Sequence, residues 1–198
     1  ASWQGQPRKL MYFANRNGYF YVLDRATGQF LSGKPFVEVN WASGLDPKTG
    51  RPMRVAGKAP SAPPGTLIFP GNQGGTNWYS PSFSPRTGLF YIPTWANYSS
   101  LYVRDKVEYV EGRRFAGGGA RAPVPGIRAG GFSWSKADEG YGAVRAIEGP
   151  ADFSVTTSAE GGYLANVTGI VVDAGGDVLV SDATANAVIR IAPDGTQS

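Results

Sequence analysis

The sequence predicts an all-β chain of short strands, and three observations carry that expectation. Aromatic and β-branched runs recur along the chain, each closed by turn residues. Glycine and proline, 28 and 15 of 198 residues, make up more than a fifth of the composition, as suits many strands joined by tight turns. No segment carries a sustained apolar stripe at i, i+3, i+4 and i+7, so no amphipathic helix is expected. A repeated strand–turn–strand unit suggests radial repetition and hence a β-propeller. Periodicity alone leaves a β-sandwich equally open.

Taken in order, strands are expected at 9–13, 19–24, 36–39, 66–69, 89–93, 143–147, 169–172, 178–181 and 187–191. The run Tyr19 to Asp24 is continuously aromatic and branched, the pattern of a strand covered on both faces. Asp24-Arg25-Ala26-Thr27-Gly28, Asp46-Pro47-Lys48-Thr49-Gly50 and Ser84-Pro85-Arg86-Thr87-Gly88 are three versions of one turn. In each, a short polar side chain bonds the backbone ahead of it and glycine supplies a positive φ. Residues Arg104 to Glu139 hold Gly117-Gly118-Gly119, Pro123, Pro125 and Gly130-Gly131 and read as a long insertion without strand pattern. From Asp152 the residues become smaller. Two strands joined at Ala174-Gly175-Gly176 and a third ending at Asp194-Gly195 are expected there. The chain thus divides into residues 1–147, with the insertion at 104–139, and a divergent blade over 148–198.

Composition excludes several function classes. Hydrophobic residues at 41% and charged residues at 17% are those of a folded chain rather than a solvated one. The charge is +4, from 19 basic and 15 acidic side chains, too scattered for a nucleic-acid stripe. There is no cysteine and no histidine, hence no disulfide, thiolate nucleophile, imidazole ligand or Ser-His-Asp triad. No apolar run approaches the ~20 residues of a membrane-spanning helix. The opening at Ala1 on polar residues, with no leader of its own, fits either a mature product or an internal part of a longer chain.

Two segments carry chemistry. Arg16-Asn17-Gly18 opens the second strand, and Gly74-Gly75-Thr76-Asn77-Trp78 is a glycine-rich loop ending in an amide and an indole. A guanidinium, an amide and an indole are suited to hold a planar, electron-poor, acidic cofactor. Arg16 alone would read as a surface arginine beside a turn, and Asn77-Trp78 alone as a polar turn over a core ring. Trp41 and Trp95 read as packing residues. Gly117 to Gly119 lacks the Lys-Ser/Thr of a phosphate loop. Asn97-Tyr98-Ser99 and Asn166-Val167-Thr168 match the short glycosylation pattern. Asp173, Asp177 and Asp182 read as turn-stabilising carboxylates, with a calcium-binding edge as the alternative.

From about Arg8 to Ile147 the chain resembles the quinoprotein alcohol dehydrogenases, which depend on pyrroloquinoline quinone (PQQ). The matching pieces run in the family's order. They are Ala14 to Arg25, Trp41 to Asp46 with Thr49 to Pro52, Gly74 to Trp78, Ser84 to Pro93 and Gly140 to Ile147. The resemblance implies a partial set of blades from an eight-bladed propeller with PQQ on its axis and calcium beside it. It implies oxidation of a primary alcohol, a cytochrome c-type electron acceptor and a periplasmic location. It assigns quinone contact to Arg16, Asn77 and Trp78. The family's base aspartate, calcium ligands, stacking tryptophan and vicinal disulfide come earlier in its chains than these motifs. Accordingly no catalytic residue and no metal ligand is assigned here, and the segment alone is expected to be inactive. The stretch Thr168 to Thr196 is more similar to a blade of the NHL or gluconolactonase-like propellers. A non-enzymatic propeller module with a vestigial cofactor site is the alternative function.

Overall fold

The structure is a computed structural model that describes residues 2–96, 98–104, 108–113, 118–121, 142–148, 154–160, 164, 167–183 and 185–198. Asn97, Gly117, Gly140, Asp152 and Asn166, singled out above, lie outside the described residues. All seventeen elements among those residues are strands. In chain order, β1 (Ser2–Trp3) and β2 (Gln6–Pro7) pair as a short hairpin. β3 (Leu10–Ala14), β4 (Tyr19–Asp24) and β5 (Phe30–Pro35) form an antiparallel meander, and β6 (Ala42–Leu45) pairs with β7 (Pro52–Arg54). Next come β8 (Thr66–Ile68), β9 (Ser82–Phe83), β10 (Phe90–Trp95), β11 (Ser100–Arg104) and β12 (Gly118–Arg121). β13 (Gly142–Glu148), β14 (Ser154–Glu160), β15 (Val167–Val172), β16 (Val178–Asp182) and β17 (Ala187–Ile191) complete the set. β8, β11 and β12 make one sheet, β14-β13-β10-β9 a four-stranded one, and β15, β16 and β17 another meander.

β10 decides the architecture. Its alternate residues Phe90 and Ile92 enter a core with Trp3, Phe20, Val22, Phe36 and Val37, and Leu10, Tyr12, Ala14 and Leu31 pack on it. The intervening Tyr91 enters a second core with Leu164, Val167, Val178, Val180, Ile189 and Ile191. A strand's side chains alternate between faces, so one face of β10 meets the β3–β5 sheet and the other the β15–β17 sheet. A two-sheet sandwich has a single core, whereas here one sheet is covered on both sides. Three antiparallel sheets stacked face to face in chain order are successive propeller blades. Each fully buried Val, Ile or Phe in these layers contributes about 1.5–3 kcal/mol.

The three repeated turns form as expected. The Asp24 carboxylate accepts from the Ala26 and Thr27 amides at 2.8 and 3.2 Å, and that of Asp46 from Lys48 and Thr49 at 3.0 and 2.8 Å. The Ser84 hydroxyl accepts from Thr87 at 3.3 Å. Gly28, Gly50 and Gly88 follow at φ of 75°, 69° and 73°. Each turn closes an antiparallel pair: β4–β5, β6–β7 and β9–β10. Asp173 accepts from Gly176 and Asp177 amides at 2.8 and 3.0 Å, Asp182 accepts from Ala185 at 2.9 Å, and Asp177 pairs with Arg190. The three tail carboxylates therefore stabilise their turns and the adjacent strand.

The expected strand at 36–39 does not form. The third strand of that blade is Phe30–Pro35, and Phe36 and Val37 follow it as irregular but buried chain. The Phe36 amide donates to the Gly18 carbonyl, outside any ladder. An apolar pair reports burial, and burial alone does not make a strand. Gly33 is needed inside β5, where a Cβ would lie 2.5 Å from Leu45 Cδ1. The region 104–139 contains β12, which pairs with β11 where only irregular chain was expected. β14 pairs with β13, so one sheet contains residues on both sides of position 148.

Two tests follow from this packing. Ile92→Ala, at a wholly buried position between sheets, is expected to cost about 2–5 kcal/mol in urea unfolding. A loss below about 1 kcal/mol would contradict the two-sided core. Asp24 is held below the usual carboxylate range, chiefly by the Ala26 amide, with Arg8 and Thr27 assisting. Its stabilisation is complete above the unfolded value of about 3.9 and is lost as pH falls through the lower folded value. In melting curves between about pH 5 and pH 2, Asp24→Asn is expected to flatten the acid decline. An unchanged slope would remove Asp24 from that role.

Candidate functional site

The site is assembled where the loop of residues 71–78 docks on the β3–β4 turn. In that turn Asn15 Oδ1 accepts from the Asn17 amide, and Asn17 Oδ1 accepts from the Tyr19 amide. The Asn17 amide group also donates to the Tyr21 hydroxyl at 2.8 Å. Two asparagines thus satisfy the turn's own backbone and leave the Arg16 carbonyl for another segment. The Gly75 amide donates to it at 3.0 Å, while the Gly75 carbonyl accepts from the Trp95 amide at 3.0 Å. Thr76, buried, donates its hydroxyl to the Pro93 carbonyl at 2.8 Å. The loop therefore joins the β3–β5 blade to β10 through main-chain bonds.

Glycine is required for this approach. Gly74 has φ of 87°, and a Cβ there would lie 2.5 Å from the Arg16 carbonyl oxygen. A Cβ on Gly75 would lie 2.5 Å from Val37 Cγ2. The spacing Gly74-Gly75-Thr76-Asn77-Trp78 thus encodes a close backbone contact followed by one displayed side chain, Trp78.

Arg16 is exposed, and its Nη2 donates to the Asn72 carbonyl at 2.7 Å. That bond uses one of the guanidinium's five N–H donors. Burial pushes up the Tyr98 and Tyr102 phenols, and the Arg16 charge pulls both the other way, so the cation stands beside two neutral phenols. Asn77 is half-buried. Its amide nitrogen donates to the Gln73 carbonyl and side-chain oxygen, both at 3.1 Å, and its oxygen accepts from the Trp78 amide at 3.0 Å. Both polar ends of Asn77 are thus engaged within the loop. Trp78 is 78% exposed, the most exposed large hydrophobic side chain among the described residues. Its ring leans on Tyr79 at 4.6 Å, Tyr79 meets Trp95 edge-on at 5.6 Å, and Trp95 meets Tyr98 at 5.6 Å.

The structure therefore brings the Arg16 turn and the Asn77-Trp78 loop together through backbone contact. A guanidinium and an exposed indole supported by a row of rings suit one wall of a site for a flat, acidic, conjugated molecule. Sequence reasoning missed Asn72, Tyr98 and Ser100, which lie behind Arg16. Their only signal was the polar Asn72 ahead of the glycines and the Tyr-Ser-Ser run that leads into β11. Trp41, by contrast, packs edge-on against Tyr19 at 6.4 Å. Among the described residues, no group of three or more His, Cys, Asp or Glu could hold a metal ion. No described helix is long and apolar enough to cross a membrane.

No family model matches the chain. It is 48% identical over 89 residues to a quinohemoprotein alcohol dehydrogenase of Comamonas testosteroni, a match covering 45% of this chain and 12% of that protein. It is 47% identical over 91 residues to a 1-butanol dehydrogenase (cytochrome c) of Thauera butanivorans, covering 45% and 13%. The crystal structure of the Comamonas testosteroni quinohemoprotein alcohol dehydrogenase matches with a TM-score of 0.67 at 26% identity. That match covers 100% of this chain, tail included, and 28% of that one. The resemblance read from the motifs is borne out, and the chain spans under a third of the length of these relatives.

The docking contact yields a direct test. Gly74→Ala is expected to unfold the loop contact and to cost clearly more than Gly57→Ala. Gly57 also has a positive φ, 75°, but has nothing within 4 Å of its would-be Cβ, so only about 1–2 kcal/mol of backbone strain applies there. Equal losses for the two variants in denaturant unfolding would show that the loop does not depend on close approach to Arg16.

Proposed function

We propose that this chain, which matches a segment of the quinoprotein alcohol dehydrogenases, supplies one wall of a PQQ site in such an enzyme. The enzyme would oxidise primary alcohols to aldehydes and pass electrons to a cytochrome c-type acceptor in the periplasm. The observation that carries this reading is the docking of the Gly74–Trp78 loop on the Arg16 turn, with a cation and an exposed indole at its rim.

When bound, PQQ supplies the two-electron acceptor for alcohol oxidation. The residues here would bind and orient it. Arg16 is a fixed cation, suited to a carbonyl or carboxylate oxygen that is or becomes negative. Trp78 offers an exposed ring face, suited to fixing the plane of a heteroaromatic and keeping water from it. Asn77 would reach the cofactor only by exchanging a bond it now makes to Gln73. The chemistry of this set fits the cofactor's binding. It contains no assigned base and no assigned calcium ligand, so alcohol activation would fall to residues elsewhere in the enzyme.

Titration of this chain with PQQ and calcium, followed by tryptophan fluorescence, tests the reading. Weak saturable quenching is expected, reduced in amplitude in Trp78→Phe, with affinity lowered about 10- to 100-fold in Arg16→Ala, as for a lost charge-assisted hydrogen bond. Absence of saturable quenching, or an unchanged affinity in Arg16→Ala, would overturn it. Dye reduction with ethanol by this chain alone would overturn the assignment of alcohol activation to other residues.

A further inference from the structure

We infer that Asn72, Tyr98 and Ser100 form a clamp that positions the Arg16 guanidinium, and that Tyr98 couples that cation to the Trp78 ring. The functional meaning of the clamp rests on the cofactor reading above; its existence does not.

Asn72 is held through three groups at once. Its amide N–H donates to the Ser100 hydroxyl at 3.0 Å. Its side-chain oxygen accepts from the Tyr98 hydroxyl at 2.5 Å and from the Ser100 hydroxyl at 3.2 Å. Ser100 Oγ is thus acceptor toward one atom of Asn72 and donor toward another, which uses a hydroxyl's capacity in both senses. Its main-chain carbonyl accepts from Arg16 Nη2. Tyr98 is 8% exposed and Ser100 1%, so the anchoring groups are deep while the held cation is at the surface. Gly71, just before Asn72, donates its amide to the Tyr98 carbonyl at 2.9 Å. A Cβ on Gly71 would lie 2.6 Å from both Ser100 Oγ and Tyr98 Cε1, so the loop enters the clamp along a single path.

An exposed arginine ordinarily samples many rotamers, and holding it in one place costs side-chain entropy. A carbonyl acceptor on a loose loop would do little to fix it. Here the carbonyl belongs to a residue whose backbone N–H and side-chain oxygen are bonded to buried hydroxyls, so the acceptor is fixed. Tyr98 contributes twice. Its hydroxyl orders Asn72, and its ring ends the row Trp95, Tyr79, Trp78. One buried side chain thus supports both the cation and the indole. None of the three clamp residues need touch the cofactor, so they are positioning residues.

The substitutions separate positioning from contact. Asn72→Ala keeps the carbonyl that Arg16 uses and removes only the side-chain anchor. Tyr98→Phe keeps the ring and removes only the hydroxyl. In nitrogen-15 NMR of the 198-residue chain, the Arg16 Nη groups are expected to rotate slowly, and at least about threefold faster in either variant. In the PQQ titration, Tyr98→Phe is expected to raise Kd about fivefold in the Arg16 background and to have no effect in Arg16→Ala. Ser100→Ala gives a third, smaller lesion should either of the others fail to melt cooperatively. Arg16 signals that are the same in wild type and all folded variants would overturn the clamp, as would an equal Kd rise with and without Arg16. If Arg16→Ala leaves quinone affinity unchanged, the cofactor reading fails, while the Arg16 rotation rates still decide whether the clamp exists.

Discussion

The peptide groups of Gly75 are the constraint on which the site depends. Its N–H is bonded to the Arg16 carbonyl on one blade and its C=O to the Trp95 amide on the next. Buried main-chain groups must be bonded somewhere, and here both bonds are made to different sheets. The loop cannot shift relative to either blade without leaving a buried polar group unpaired. Residues 76–78 are thereby fixed in register with Arg16 although some sixty positions separate them. The two glycines are needed because any side chain at either position would occupy the space the contact requires.

The rest of the fold makes that contact rigid. β10 has a core on each face, so the strand that receives the loop's bonds is itself immobilised by two neighbouring sheets. Trp95 closes β10, and its ring carries the aromatic row outward to Trp78. An indole with most of its surface in water would normally be costly to order. Support from Tyr79 and Trp95 lowers that cost and leaves a flat face available. Arg16 is served in the same manner by Asn72. In both cases an exposed functional group stands on buried, hydrogen-bonded or packed neighbours, an arrangement suited to binding a flat anion without prior rearrangement.

Much of this was legible from residue patterns, for identifiable reasons. The Asp-x-x-Thr-Gly turns are local devices whose bonds span two or three residues, and all three formed as read. Tyr19 to Asp24 and Ala187 to Ile191 were legible because continuous or alternating runs of branched and aromatic residues have few other solutions. The strand Phe30–Pro35 was not, since Ser32, Gly33, Lys34 and Pro35 have poor strand propensity and are recruited by the open edge of β4 and by Leu45. Phe36 and Val37 misled because burial and strand geometry share a residue type. At the site, Arg16 and the glycine loop stood out by motif. Asn72, Tyr98 and Ser100 did not, because their role lies in contacts 26 to 28 residues apart along the chain.

Amide hydrogen exchange at Gly75 tests the central contact most directly. If its N–H bridges the loop to Arg16 between two packed blades, it should exchange as slowly as the amides in the middle of β10, and only through global unfolding. Exchange of Gly75 at the rate of an exposed loop amide, while β10 remains protected, would mean that the loop is not docked. The cation and the indole would then share no fixed frame.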